Sequence, residues 1–122
     1  MCQETVKKLE KKDTYMAIMI TKENASEEIN NSKLPVIVDV YATWCGPCQQ
    51  MNPIFEQLEK ELGDSCKFVK LNVDEARELS IQYGVTSVPT FVFIKNNEIK
   101  HKETGYMSKD DLLAKIEDFL GL

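Results

Sequence analysis

The chain has 122 residues, 43% hydrophobic and 29% charged, the profile of one globular domain rather than a collagen-like, low-complexity or wholly disordered polypeptide. Fifteen basic against 20 acidic residues give a formal net charge of −5, which argues against nonspecific nucleic-acid binding because nothing neutralises phosphates in bulk. No apolar run approaches the roughly 18 residues that a membrane-spanning helix needs.

Residues 4–13 are dominated by Lys7, Lys8, Lys11 and Lys12, with Val6 and Leu9 as their apolar residues. They read as a solvated arm, so residues 1–13 are expected to be an N-terminal extension and 14–122 a single domain. Nothing after Met1 resembles a secretory signal, and the expected setting is reducing and cytoplasmic. The alternative is a lipid-anchored protein outside the cytoplasm, with Cys2 as the acylated first residue of a processed chain; membrane contact is expected only in that case.

Residues 15–21 form a short apolar run of strand character, and residues 24–32 read as a short helix. Residues 35–42 are rich in valine and isoleucine, as in a strand buried on both faces, and are interrupted by Asp39. After Cys45 the period changes: Met51, Ile54, Phe55, Leu58 and Leu62 follow helical spacing up to Gly63, with Pro53 inside the helix. Residues 66–73 read as a third strand. Asp74 is expected to cap a helix running through Leu79, Ile81 and Tyr83 to Gly84. Residues 90–94 form a strand, Asn96-Asn97 a tight turn, and residues 98–104 an edge strand. Ser108 with Asp111 starts a last helix with Leu112, Leu113, Ile116, Phe119 and Leu120 on its apolar face, closed by Gly121. The order β-α-β-α-β-α-β-β-α predicts an α/β fold: a mixed five-stranded sheet, first part parallel, last two strands a hairpin, flanked by four helices on both faces.

Chemistry concentrates at Trp44-Cys45-Gly46-Pro47-Cys48. Cysteines at i and i+3 in the first turn of a helix present both sulfurs on one face, within bridging distance. Unpaired N–H groups and the positive end of the helix dipole favour a thiolate at Cys45. Pro47 suits a first turn, where its missing N–H is not needed. A zinc site needs about four ligands; Cys2, Cys66 and the single histidine, His101, are not in paired spacing, so no metal is expected.

With these residues in view, the chain resembles the thioredoxin family from about Tyr15 to Leu122. The likeness rests on the dithiol motif, Asp39 six residues before Cys45, Pro53 in the following helix, Lys70-Leu71-Asn72-Val73-Asp74, Val88-Pro89-Thr90, and Gly105 followed by Ser108-Lys109. Asn97 and Tyr41 depart modestly from the usual residues, and Cys66 reads as a small buried hydrophobe.

The resemblance implies the thioredoxin fold and a general protein-disulfide reductase, a thiol-disulfide oxidoreductase that carries electrons. Its implied partners are oxidised protein substrates and a thioredoxin reductase; it implies no cofactor and a monomer. Cys45 would be the nucleophile and Cys48 the resolving thiol. Asp39 would accept the Cys48 proton, its affinity raised by burial, and Lys70 would tune it. Pro89 is expected in the cis form. Trp44, Gly46, Pro47, Thr86, Ser87, Val88, Pro89, Gly105 and Tyr106 would line a shallow groove where an extended substrate segment pairs with backbone. His101 is expected to be solvated. Gly-Pro between the cysteines lacks the histidine of oxidising members, so the dithiol is expected to be a reductant. A thioredoxin-fold subunit that serves a partner without using its thiols is the contrasting possibility.

Overall fold

The computed structural model describes residues 17–122. The N-terminal extension with Cys2, and Tyr15 and Met16 at the start of the expected first strand, lie outside the described residues. The elements run β1 (Ile18–Met19), α1 (Ser26–Asn30), β2 (Val36–Tyr41), α2 (Gly46–Leu62), β3 (Lys67–Asn72), α3 (Arg77–Gln82), β4 (Thr90–Lys95), β5 (Glu98–Thr104) and α4 (Lys109–Leu120). The five strands form one sheet in the order β1-β3-β2-β4-β5. β1, β3 and β2 are parallel, whereas β4 is antiparallel to β2 and β5 to β4. This is the expected mixed sheet, with two helices on each face.

Period-two alternation divides the core. Ile37, Phe68, Phe91 and Phe93 face α2 and α4, where they meet Met51, Phe55, Leu58, Leu112, Ile116 and Leu120. Val36, Val38, Val40, Val69, Leu71, Val92 and Ile94 face the opposite way, toward Ile29 of α1 and Leu79 of α3. Each fully buried aliphatic or phenyl side chain stabilises by about 1.5–3 kcal/mol. Phe55 sits edge-on to Phe68 with ring centroids 5.1 Å apart, pinning the middle of α2 to β3.

Local chemistry sets the element ends. Ser108 accepts a hydrogen bond from the Asp111 N–H at 3.1 Å, and Gly121 ends α4 in the left-handed conformation, φ 71°. Asn96 and Asn97, at φ 55° and 60°, make the β4–β5 turn that right-twisted strands need. Gly63 ends α2 differently from a left-handed stop: its φ is −60°, and the Ser65 and Cys66 N–H groups fold back onto the Leu62 carbonyl.

Three expectations are corrected. Among the described residues the first strand pairs at Ile18 and Met19 and stops short of Thr21, because Thr21 and Asn24 exchange side chain–backbone hydrogen bonds that turn the chain away from the sheet. The helix of residues 24–32 is a single wide π-type turn over Ser26–Asn30. Asp74 does not cap α3: Asn72 Oδ1 accepts the Asp74 N–H and the Asn72 carbonyl accepts from Glu75 and Ala76, so three residues are spent in a turn before α3 starts. Among the described residues no helix is long and apolar enough to cross a membrane.

Candidate active site

β2 delivers the chain from the middle of the sheet to the N-terminus of α2, and the dithiol sits at that handover. Cys45 is the N-cap residue of α2, in extended conformation, and Pro47 occupies its first turn. Cys45 and Cys48 form a disulfide, with Cα atoms 5.3 Å apart. The Cys48 N–H donates to Cys45 Sγ at 3.2 Å, so the sulfur takes the place of a capping oxygen and meets one of the orphan donors at the positive end of the helix. Both cysteines are buried and pack with Ala42 against Tyr41, Val73 and Val88.

The surrounding loops converge on this cluster. Val88 reaches it from the segment before β4, and the Val88–Pro89 peptide bond is cis. Pro89 is buried, and its carbonyl accepts the Gly105 N–H at 2.8 Å, tying the end of β5 to the same loop. Thr90 Oγ1 donates to the Ser87 carbonyl at 2.7 Å. Gly46, Pro47, Thr86, Ser87 and Tyr106 are exposed, and Trp44 is 70% exposed. The Trp44 indole N–H donates to Asp74 Oδ2 at 3.1 Å, so the residue expected to cap a helix instead orients the tryptophan.

Asp39 lies one strand-length behind the dithiol, on the α2 face of β2. It is fully buried, and neither carboxylate oxygen has a hydrogen-bond partner among the described residues. Burial pushes its carboxyl up to about 7, against a smaller opposing effect of Lys70. Lys70 is its register partner on β3. The Lys70 ammonium donates to Asn52 Oδ1 at 2.8 Å and lies 4.6 Å from the centroid of the Tyr41 ring. A cavity of about 370 Å³ opens beside Cys48, lined by Tyr41, Ala42, Thr43, Gln49 and Asn52. A larger concavity of about 760 Å³, between α1, α3 and the β4–β5 turn, contains neither cysteine.

Residues that sequence reasoning passed over share this site. Asn52 follows Cys48 by one helical turn, a spacing that puts both on one face. Glu59 continues the buried stripe of Phe55 and Leu58; it is 3% exposed and its Oε1 is unpartnered. Burial and the neighbouring Glu56 push its carboxyl up to about 7, with the Ala17 N–H and Lys70 opposing. A carboxylate on an apolar helical stripe was the signal that could have found it. His101 is half-buried rather than solvated: its ring stacks on Phe119 at 4.0 Å and its Nε2 pairs with Glu103 at 2.8 Å. Cys66 is fully buried, as a small hydrophobe would be.

Residues 16–118 match the family model described as Thioredoxin. A thioredoxin of Rickettsia bellii is 39% identical over 103 residues, covering 84% of this chain and 98% of that protein. A thioredoxin of Rickettsia typhi is 43% identical over 94 residues, 77% of this chain and 90% of that one. The chloroplastic M-type thioredoxin of Pisum sativum is 40% identical over 94 residues, 77% of this chain and 55% of its own length. With a cysteine pair capping the helix that leaves the central strand and a family model matched over residues 16–118, the chain belongs to the thioredoxin family.

Proposed function

We propose that the chain reduces protein disulfides with Cys45 as nucleophile and Cys48 as resolving thiol. The observation that carries this is the Cys48 N–H directed at Cys45 Sγ on the N-terminal turn of α2, a donor that stabilises charge on that sulfur once the pair is reduced. The Cys45 thiolate attacks one sulfur of the substrate disulfide, the substrate S–S bond breaks, the other sulfur leaves as a thiolate and is protonated, and a mixed disulfide forms. Cys48 gives its proton to Asp39, and the Cys48 thiolate attacks Cys45 Sγ. The second substrate sulfur leaves as a thiolate and is protonated. Two electrons have passed from the chain to the substrate, and the Cys45–Cys48 disulfide seen here is the product state.

Asp39 suits the proton step because its unpartnered carboxyl titrates near neutral pH, where a base works best. Lys70 tunes that carboxyl from β3. Trp44, Gly46, Pro47, Thr86, Ser87, Val88, Pro89, Gly105 and Tyr106 form the substrate groove, with the backbone of Ser87 and Val88 pairing an extended segment. A thioredoxin reductase, in the same cytoplasmic compartment, returns the pair to dithiol.

Insulin reduction in the presence of dithiothreitol tests the reading. The parent accelerates turnover, Cys45→Ser abolishes it, and Cys48→Ser accumulates a mixed disulfide visible by mass spectrometry. Full turnover by Cys48→Ser would reverse the assignment of the two thiols.

A further inference from the structure

Lys70 and Asp39 stand opposite each other on neighbouring parallel strands, yet their charged ends are not bonded. Among the described residues both Asp39 oxygens are without a hydrogen-bond partner, while Lys70 Nζ is taken up by Asn52 Oδ1 at 2.8 Å and the Tyr41 ring at 4.6 Å. A buried carboxylate attracts a nearby ammonium more strongly than a neutral amide does, so the amide contact competes with an ion pair. Asn52 and Tyr41 also line the cavity beside Cys48. Asn52 thus ties the Lys70 ammonium to the helix that carries Cys48, one turn after that cysteine.

We propose that Asn52, together with the Tyr41 ring, is a positioning residue that holds the Lys70 ammonium and withholds it from Asp39. This rests on the reading of Asp39 as the proton acceptor. A lysine paired directly with Asp39 would keep that carboxylate ionised through neutral pH and weaken it as a base. A lysine held one hydrogen bond away leaves Asp39 able to take up a proton near pH 7 and still favours the charge that develops there. The ionisable groups coupled to this pair are Glu59 from α2, which senses Lys70, and Tyr41 from β2, which senses Asp39; Cys48 lies on α2 one turn before Asn52. β1 and β4 add the uncharged register partners Met19, opposite Lys70, and Phe91, opposite Asp39. Glu59 is a second buried carboxylate sensing the same lysine, so its titration must be followed separately.

The test is a carbon-detected NMR titration of the Asp39 and Glu59 carboxyls in the reduced full-length chain, parent against Asn52→Ala. Release of Lys70 lowers the Asp39 midpoint by about one pH unit or more, the effect of a newly paired opposite charge. Asn52→Gln, which keeps the amide, restores most of the parent midpoint. In a Lys70→Met background, with Lys70→Gln as a second choice if that variant does not fold, Asn52→Ala moves nothing. An unmoved Asp39 midpoint in Asn52→Ala, an equal shift without Lys70, or a shift confined to Glu59 would each overturn the proposal. The pH profile of insulin reduction reads the acceptor role independently, its acid limb moving with the Asp39 midpoint. A shifted titration with an unmoved turnover profile supports the Asn52 placement and counts against Asp39 as the acceptor.

Discussion

Burial gives Asp39 both its chemical use and its cost. The unfolded chain ionises this carboxyl near 3.8, the folded chain near 7. Between those values the native state binds more protons, so stability falls as pH rises through that window and the penalty is complete above pH 7. Asp39→Asn removes the charge and keeps the shape. It should stabilise the protein at pH 8 by on the order of 4 kcal/mol at most, at about 1.4 kcal/mol per tenfold change in proton affinity, and change little at pH 4. Urea midpoints at the two pH values measure the difference, and a variant less stable at pH 8 would contradict the placement of Asp39. If Asp39 accepts the Cys48 proton, as proposed, the same variant should also slow insulin reduction near pH 7. Glu59, raised from 4.5 to about 7, adds a penalty of the same sign between those values, opposed by the Ala17 N–H and Lys70.

At the scale of elements, α4 anchors one half of the core. Its start depends on Ser108, whose hydroxyl satisfies an N–H that the helix cannot bond itself. Ser108→Ala should cost about 1 kcal/mol, read as a lower urea midpoint with an unchanged slope. The β4–β5 turn asks for left-handed backbone at two successive positions, which asparagine tolerates and alanine does not. Asn97→Ala should destabilise by about 1 kcal/mol, whereas Asn97→Gly should not destabilise through this term; equal losses for both would show that the turn conformation is not the cause. Because β5 carries Gly105 to the Pro89 carbonyl, loosening this hairpin should also raise the KM for a protein substrate more than it lowers kcat.

At the scale of the whole molecule, Cys66 reports on cooperative unfolding. It is fully buried at the foot of β3, within the core formed by α2 and α4, and burial pushes its thiol up to about 12. A thiol with neither exposure nor thiolate character reacts only through opening of the structure. In the oxidised protein, iodoacetamide should modify Cys66 at a rate that rises with urea in parallel with global unfolding, followed residue by residue by peptide mass spectrometry. Fast modification of Cys66 in native buffer would show a local opening at β3 that the packing does not suggest.

Runs rich in valine, isoleucine and phenylalanine, the change to helical spacing after Cys45, and Ser108, Asn96-Asn97 and Gly121 at the element ends were enough to lay out five strands, four helices and a dithiol at a helix start. These signals are local: each depends on residues within a turn or a strand of one another, so the sequence by itself determined them. Contacts between distant residues were decided elsewhere. Asp74 looked like a cap until Asn72 claimed the turn and the Trp44 indole arrived from 30 positions away. His101 looked solvated because the ring it stacks on, Phe119, belongs to a different element. Asn52 falls one turn after Cys48 and Glu59 on the apolar stripe of α2, but neither spacing names a partner. Only packing α2 over β2 and β3 puts the first on Lys70 and buries the second. Hydrogen bonds and desolvation act over a few ångströms whatever the separation in sequence, so these partnerships and proton affinities could be decided only by the tertiary structure.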